Sequence, residues 1–165
     1  MSRGRVARGA AAAALLALAP FGHAQQFSCG VSAVGVVFGP YDALAAAPTF
    51  GTGRVDVACT LVKPPGTDVA YAIALSPGAS GSYATRTMLG AGFALQYNLY
   101  VAAPPNISVW GNGAGATQVV AGVVSLRPPP GRTTVVSHTV FGTIPARQDV
   151  AAGAYVDTIV VTLTF

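Results

Sequence analysis

The sequence predicts an all-β sandwich, and three observations carry that expectation. Short segments with apolar residues at alternate positions recur along the chain. Gly, Pro, Asn and Ser separate them, as in Lys63-Pro64-Pro65-Gly66, Pro77-Gly78 and Pro128-Pro129-Pro130-Gly131. Beyond the first 24 residues no amphipathic stretch is long enough to require a helix, although Ala43 to Ala47 could form one turn. At 165 residues the chain suits one domain with a substantial core.

Taken in order, Val31 to Phe38 reads as a first strand stopped by Gly39-Pro40, and Ala43 to Thr52 as a small-residue connection. Arg54 to Leu61 alternates Val55, Val57, Cys59 and Leu61 with Arg54, Asp56 and Thr60. Val69 to Leu75 groups Tyr71, Ile73 and Leu75, and a short segment surrounds Arg86-Thr87-Met88. Leu95 to Val101, Ile107 to Trp110, Gln118 to Leu126 and Thr133 to Phe141 follow. Ala154 to Phe165 is the most regular segment, with Tyr155, Ile159, Val161, Leu163 and Phe165 on one face, interrupted only by Asp157. An apolar edge of this kind needs a partner to avoid aggregation. Several such strands with turns between them make a sandwich. No second domain or internal repeat is visible.

Residues 1–24 have the pattern of a secretory signal: Arg3, Arg5 and Arg8, an Ala/Leu run from Ala10 to Ala19, then Gly22-His23-Ala24 before the expected cleavage. The run is shorter than the ~20 residues that a membrane span requires. Residues 25–165 would then form the mature domain. Removal takes three of the nine basic residues and none of the five acidic ones. The mature part keeps six against five, a charge of +1, scattered along the chain, so nucleic acid is not an expected partner. No later apolar run is long enough for a transmembrane segment. In an exported chain the pair Cys29 and Cys59 implies a disulfide, closing a loop of about 30 residues.

Catalytic and metal chemistry find little support. The mature part has no Glu and a single His, His138, set among Thr and Val in a strand. No serine sits in a nucleophile elbow, and no cluster of carboxylates or His residues suggests a metal or other cofactor. Gly111-Asn112-Gly113-Ala114-Gly115 resembles a phosphate loop but lacks the following Lys-Ser/Thr and helix. Asn106-Ile107-Ser108 fits a glycosylation sequon, and Asn after Pro-Pro is also ordinary turn chemistry. Trp110 is expected in the core, with an exposed, ligand-facing carbohydrate platform as the alternative. Enzymatic activity is not indicated.

Several local patterns resemble one family in sequence order. They are Cys29-Gly30-Val31-Ser32, Val37-Phe38-Gly39-Pro40-Tyr41-Asp42, Gly53 to Thr60, Tyr97-Asn98-Leu99-Tyr100, Trp110-Gly111, Phe141 to Gln148 and Gly153 to Leu163. Together they resemble spore coat protein U domains, a family that includes subunits of archaic chaperone–usher pili. The resemblance implies an immunoglobulin-like sandwich that lacks its last strand and is completed by donor-strand complementation. It implies a periplasmic pilus chaperone, an outer-membrane usher and neighbouring pilus subunits as partners, with a periplasmic and then cell-surface location. A subunit- and chaperone-binding groove would be lined by Tyr155, Ile159, Val161, Leu163 and Phe165, with Val31 and Phe38 on the opposite wall. Cleavage after Ala24 would leave only Gln25-Gln26-Phe27-Ser28 before Cys29, too short to donate a strand. The expected function is therefore a minor, tip or terminal pilus subunit for surface attachment and biofilm formation. The rival readings are a secreted coat protein that folds alone and a small extracellular glycan-binding module.

Overall fold

Ten strands and one short 3-10 turn build two sheets in a computed structural model that describes residues 25–104 and 108–165. The signal segment, Asn106 and Ile107 of the sequon, and the start of the segment from Ile107 to Trp110 lie outside the described residues. The strands are β1 (Phe27–Val37), β2 (Thr49–Leu61), β3 (Thr67–Leu75), β4 (Arg86–Gly90) and β5 (Phe93–Tyr100). They continue with β6 (Val109–Trp110), β7 (Thr117–Gln118), β8 (Val120–Leu126), β9 (Thr133–Ile144) and β10 (Val161–Thr164). The larger sheet runs β1-β2-β9-β5-β6-β7, with β4 also on β5; the smaller runs β10-β3-β8. All pairs are antiparallel except β6 with β7.

Alternation works because one face of each sheet meets the other. Val55, Val57, Cys59 and Leu61 of β2 are buried, as are Val69, Tyr71, Ile73 and Leu75 of β3 across the sandwich. Cys29 and Cys59 stand opposite one another in the β1–β2 register and are bonded, with Cα atoms 4.1 Å apart.

Trp110 is fully buried, and its indole N–H donates to the Ile73 carbonyl at 2.9 Å. The neighbouring Gly111 carbonyl accepts from the Leu75 N–H at 3.1 Å. These two bonds stitch β6 of the larger sheet to β3 of the smaller. The ligand-facing role considered for Trp110 is thereby corrected: the ring supplies core volume, and its one polar atom is already spent.

Three expected boundaries also change. β2 begins at Thr49, inside the stretch taken as a connection, and the turn expected near Ala43 is a single one closed by Ala45 N donating to the Asp42 carbonyl at 3.2 Å, with no helix. β1 ends in a bulge between Val34 and Val37. There Val36 and Phe38 swing over Gly51, Gly53 and Gly142, where an added Cβ would lie 2.6–2.9 Å from Val37 O, Val36 Cγ2 or Phe38 ring atoms. The glycines of β2 are therefore there for space, which is why β propensity conceals that part of the strand.

The last segment is not one continuous strand. Val156 exchanges both backbone bonds with Leu89 of β4, in the larger sheet, at 2.8 and 3.1 Å. Only Val161–Thr164 pairs with β3, in the smaller sheet. The chain crosses between sheets at Asp157. One carboxylate oxygen of Asp157 accepts from Ala79 N at 2.9 Å, and the other accepts from the Tyr97 hydroxyl at 2.6 Å. The single polar residue that interrupts the apolar face marks this transfer.

Candidate functional site

Among the described residues β1 pairs only with β2, and β10 only with β3, so each strand ends its sheet. Between these two edges the sandwich is open. A cavity of about 270 Å³ is lined by Ala33 to Val36 and Phe38 on one side and by Tyr155 to Asp157, Ile159 and Val161 on the other. Leu75, Met88, Tyr97 and Leu99 form its floor. A second cavity, about 670 Å³, adjoins it between the 36–43 and 150–155 segments. Val36, Phe38, Met88 and Tyr155 line both.

The chemistry of this trough is apolar with backbone edges on its flanks. Its exceptions are Tyr97 and Asp157, which bond one another at 2.6 Å, and Tyr155, whose hydroxyl donates to the Ala151 carbonyl at 2.8 Å. Burial and the Asp157 carboxylate both push the Tyr97 phenol far above its ordinary pKa, so it remains a neutral donor. Gly78, at φ +70, lies against the Asp157 carboxylate, where a side chain would collide. Phe38 meets the Tyr97 ring edge-on at 5.9 Å, holding the bulged end of β1 over the floor. The described residues contain no group of His, Cys, Asp and Glu suited to a metal. No described helix is long and apolar enough to cross a membrane.

A family model described as Spore Coat Protein U domain matches residues 13–162. The chain belongs to this family. Protein U of Myxococcus xanthus is 31% identical over 135 residues, which cover 78% of this chain and 70% of that protein. The fold is also similar to a chain in the crystal structure of the CsuC–CsuE chaperone–tip adhesion subunit pre-assembly complex, from archaic chaperone–usher Csu pili of Acinetobacter baumannii. That match has a TM-score of 0.50 at 22% identity and covers 84% of this chain, which spans 40% of the matched chain. For this spore coat protein U domain the likeness is one of fold alone.

Within the domain, the residues singled out from the sequence divide into two groups. Phe38, Tyr155, Ile159 and Val161 line the open trough. Val31 and Leu163 line neither cavity, and Phe165, about half exposed, meets Phe27 with ring centroids 5.8 Å apart. His138 points inward, and its Nε2 lies 2.7 Å from the Tyr71 hydroxyl of the opposite sheet. Burial lowers its pKa, only partly opposed by Asp56, so the folded protein takes up the imidazole proton less readily than the unfolded chain. Stability from this site is therefore present above the unfolded pKa of about 6.5 and lost as pH falls through the folded value. Urea midpoints between pH 7.5 and pH 5 should fall in the wild type, and fall less in His138→Gln.

Three features of the spore coat protein U domain escape a reading of its sequence. Arg86 is fully buried, with Nη1 donating to Asn98 Oδ1 at 2.6 Å and Nη2 to the carbonyls of Trp110 and Ser76 at 2.7 and 2.9 Å. Desolvation lowers its pKa, and the Tyr83 ring lies 5.3 Å from the guanidinium carbon. Gln148 Oε1 accepts from Gln96 N at 2.7 Å, and its Nε2 donates to Gln96 O at 2.9 Å. This side-chain amide occupies a pairing position beside β5. The Tyr41 hydroxyl accepts from Gln148 N at 2.8 Å and donates to the Pro145 carbonyl at 3.0 Å. The motifs Tyr41-Asp42 and Ile144 to Gln148 thus meet at one joint. Only their presence in the family pattern hinted at a structural role.

Proposed function

We propose that this chain is an exported, non-enzymatic subunit of a chaperone–usher pilus that accepts a β-strand from a partner. The observation that carries the reading is the apolar trough bounded by β1 and β10, each the last strand of its sheet. The free edge of β1, the start of the β10 edge at Val161 and apolar side chains beneath suit strand addition: main-chain bonds fix register, and alternate side chains fill the cavity. Phe38, Tyr155, Ile159 and Val161 are the groove residues on this reading. A periplasmic chaperone strand occupies the trough first, and a strand from a neighbouring subunit replaces it after passage through the outer-membrane usher. Adhesion and biofilm formation follow from a place on the cell surface.

Position at a tip or fibre end rests on the expected signal cleavage after Ala24. Only Gln25 and Gln26 then precede β1. Gln26 is already tied down, its carbonyl accepting from Val62 N and Lys63 N at 2.8 and 3.0 Å. Such a subunit receives a strand without donating one.

The test is a denaturation series on the secreted protein with a synthetic peptide of alternating Val, Ile and Leu. At a peptide concentration a hundredfold above Kd, stability should rise by about 2.7 kcal/mol. A high midpoint that the peptide leaves unchanged would instead favour a coat protein that folds alone. Mass spectrometry of the same sample checks the fibre-end claim, since a start well before Gln25 would supply a donor segment. A glycan-binding module loses its leading candidate with Trp110 in the core.

A further inference from the structure

The edges of β1 and β10 do not stand apart along their whole length. At one end Phe27 and Phe165 are in ring contact at 5.8 Å, and Val31 and Leu163 pack against the core. None of these four residues lines either cavity. From Ala33 and Val161 onward the edges separate, and the opening continues past Val36 and Phe38 into the larger cavity. The trough is shut at one end and open at the other.

We propose that an incoming strand from another protein chain engages only the open half, alongside residues 33–38 of β1, and that the Phe27–Phe165 contact is the stop that limits its depth. The inference rests on the strand-accepting reading above and adds to it the register and length of the occupant. An extended strand is the occupant that fits, because the β1 flank of the cavity is a strand edge with no neighbouring strand among the described residues, and across the cavity Val161 begins the edge of β10. A compact apolar ligand would fill the cavity and leave those backbone groups unpaired. Of the polar side chains in the lining, Tyr97 and Asp157 already bond one another and the Tyr155 hydroxyl donates to the Ala151 carbonyl at 2.8 Å, so the occupant needs no charged residue at that point. At ~3.3 Å per residue, the six positions from Ala33 to Phe38 correspond to roughly 20 Å of strand. The occupant therefore buries about three alternate side chains. A longer strand would have to part Phe27 from Phe165 and lift Val31 and Leu163 off the core.

Hydrogen exchange read by mass spectrometry on the full secreted chain tests this. The probe is a peptide of about twelve residues alternating Leu and Thr, long enough at ~3.3 Å per residue to span both halves. With peptide bound, fragments covering residues 32–38 should exchange about tenfold more slowly or better, while fragments covering 27–31 are unchanged. In the double variant Phe27→Ala/Phe165→Ala, the same peptide should extend protection into 27–31. Protection of both fragments in the wild type would overturn the stop while leaving strand acceptance intact. So would a double variant that binds the peptide with the wild-type pattern. No protection in any fragment would overturn strand acceptance, and the stop with it.

Discussion

Replacing Arg86 with Ala is expected to cost about 3–5 kcal/mol of folding stability, because a buried side chain is lost together with the hydrogen bonds it donates. The side chain is fully buried, and its donors reach Asn98 Oδ1 and the carbonyls of Ser76 and Trp110. Truncation leaves a hole and removes the donors to the Ser76 and Trp110 carbonyls, each worth about 1–3 kcal/mol when buried without a partner, while Asn98 Oδ1 keeps the Leu99 N–H at 2.9 Å. Two controls separate these causes. Arg86→Met restores most of the volume and none of the donors, so it should remain strongly destabilised. Arg86→Lys keeps the charge but cannot present the planar fork that serves several acceptors at once, so it should recover only part of the loss. Urea midpoints of the three variants decide the matter. An Arg86→Met protein within ~1 kcal/mol of wild type would mean that the carbonyls find other donors, and that Arg86 matters chiefly as bulk.

Loss of the disulfide should have a similar effect by a different route. The double variant Cys29→Ala/Cys59→Ala releases a link across 30 positions of sequence. In the chain-entropy account that gives the unfolded state about 3–4 kcal/mol more freedom. The native state also loses Cys59, which is fully buried. Among the described residues β1 is held on one edge alone, so the link matters more to it than to a strand paired on both sides. Adding a reductant to the wild type should reproduce the lower midpoint of the double variant. Equal midpoints with and without reductant would show that pairing to β2 suffices. The consequence reaches the trough, because Ala33 to Val36 continue from the strand that the disulfide anchors.

How much of this was visible in the residues depends on range. β2 from Arg54 and β3 were legible because each buries one face, and a half-buried strand writes its burial as period two. The final segment was legible as extended but misread as one strand. A pattern of side-chain faces does not reveal that Val156 pairs with one sheet and Val161 with the other. Asp157 held that information, yet a carboxylate on an apolar face reads as an interruption until its partners Ala79 and Tyr97 are known. Arg86 was invisible for the same reason: a charged side chain is expected in water, and its acceptors lie up to 24 residues away. Trp110 followed the ordinary expectation for a large ring. The trough itself came from family resemblance, since periodicity fixes which side chains face inward but not whether a neighbouring strand is present. It also gave no sign that Val31, Leu163 and Phe165 lie at a closed end.

The side-chain amide of Gln148 has a bearing on assembly that its hydrogen bonds alone do not convey. It holds the backbone donor and acceptor of Gln96 with two bonds of its own. A foreign strand seeking that site on β5 competes with a ligand tethered to the same molecule. Tethers of a few residues present their ligand at effective concentrations of order mM, far above those at which unassembled protein normally meets protein. Gln148 thus acts as a built-in competitive inhibitor at one exposed stretch of backbone. On the proposed function, exchange between chains is left to the β1 edge of the trough, which among the described residues pairs only with β2 on its other side.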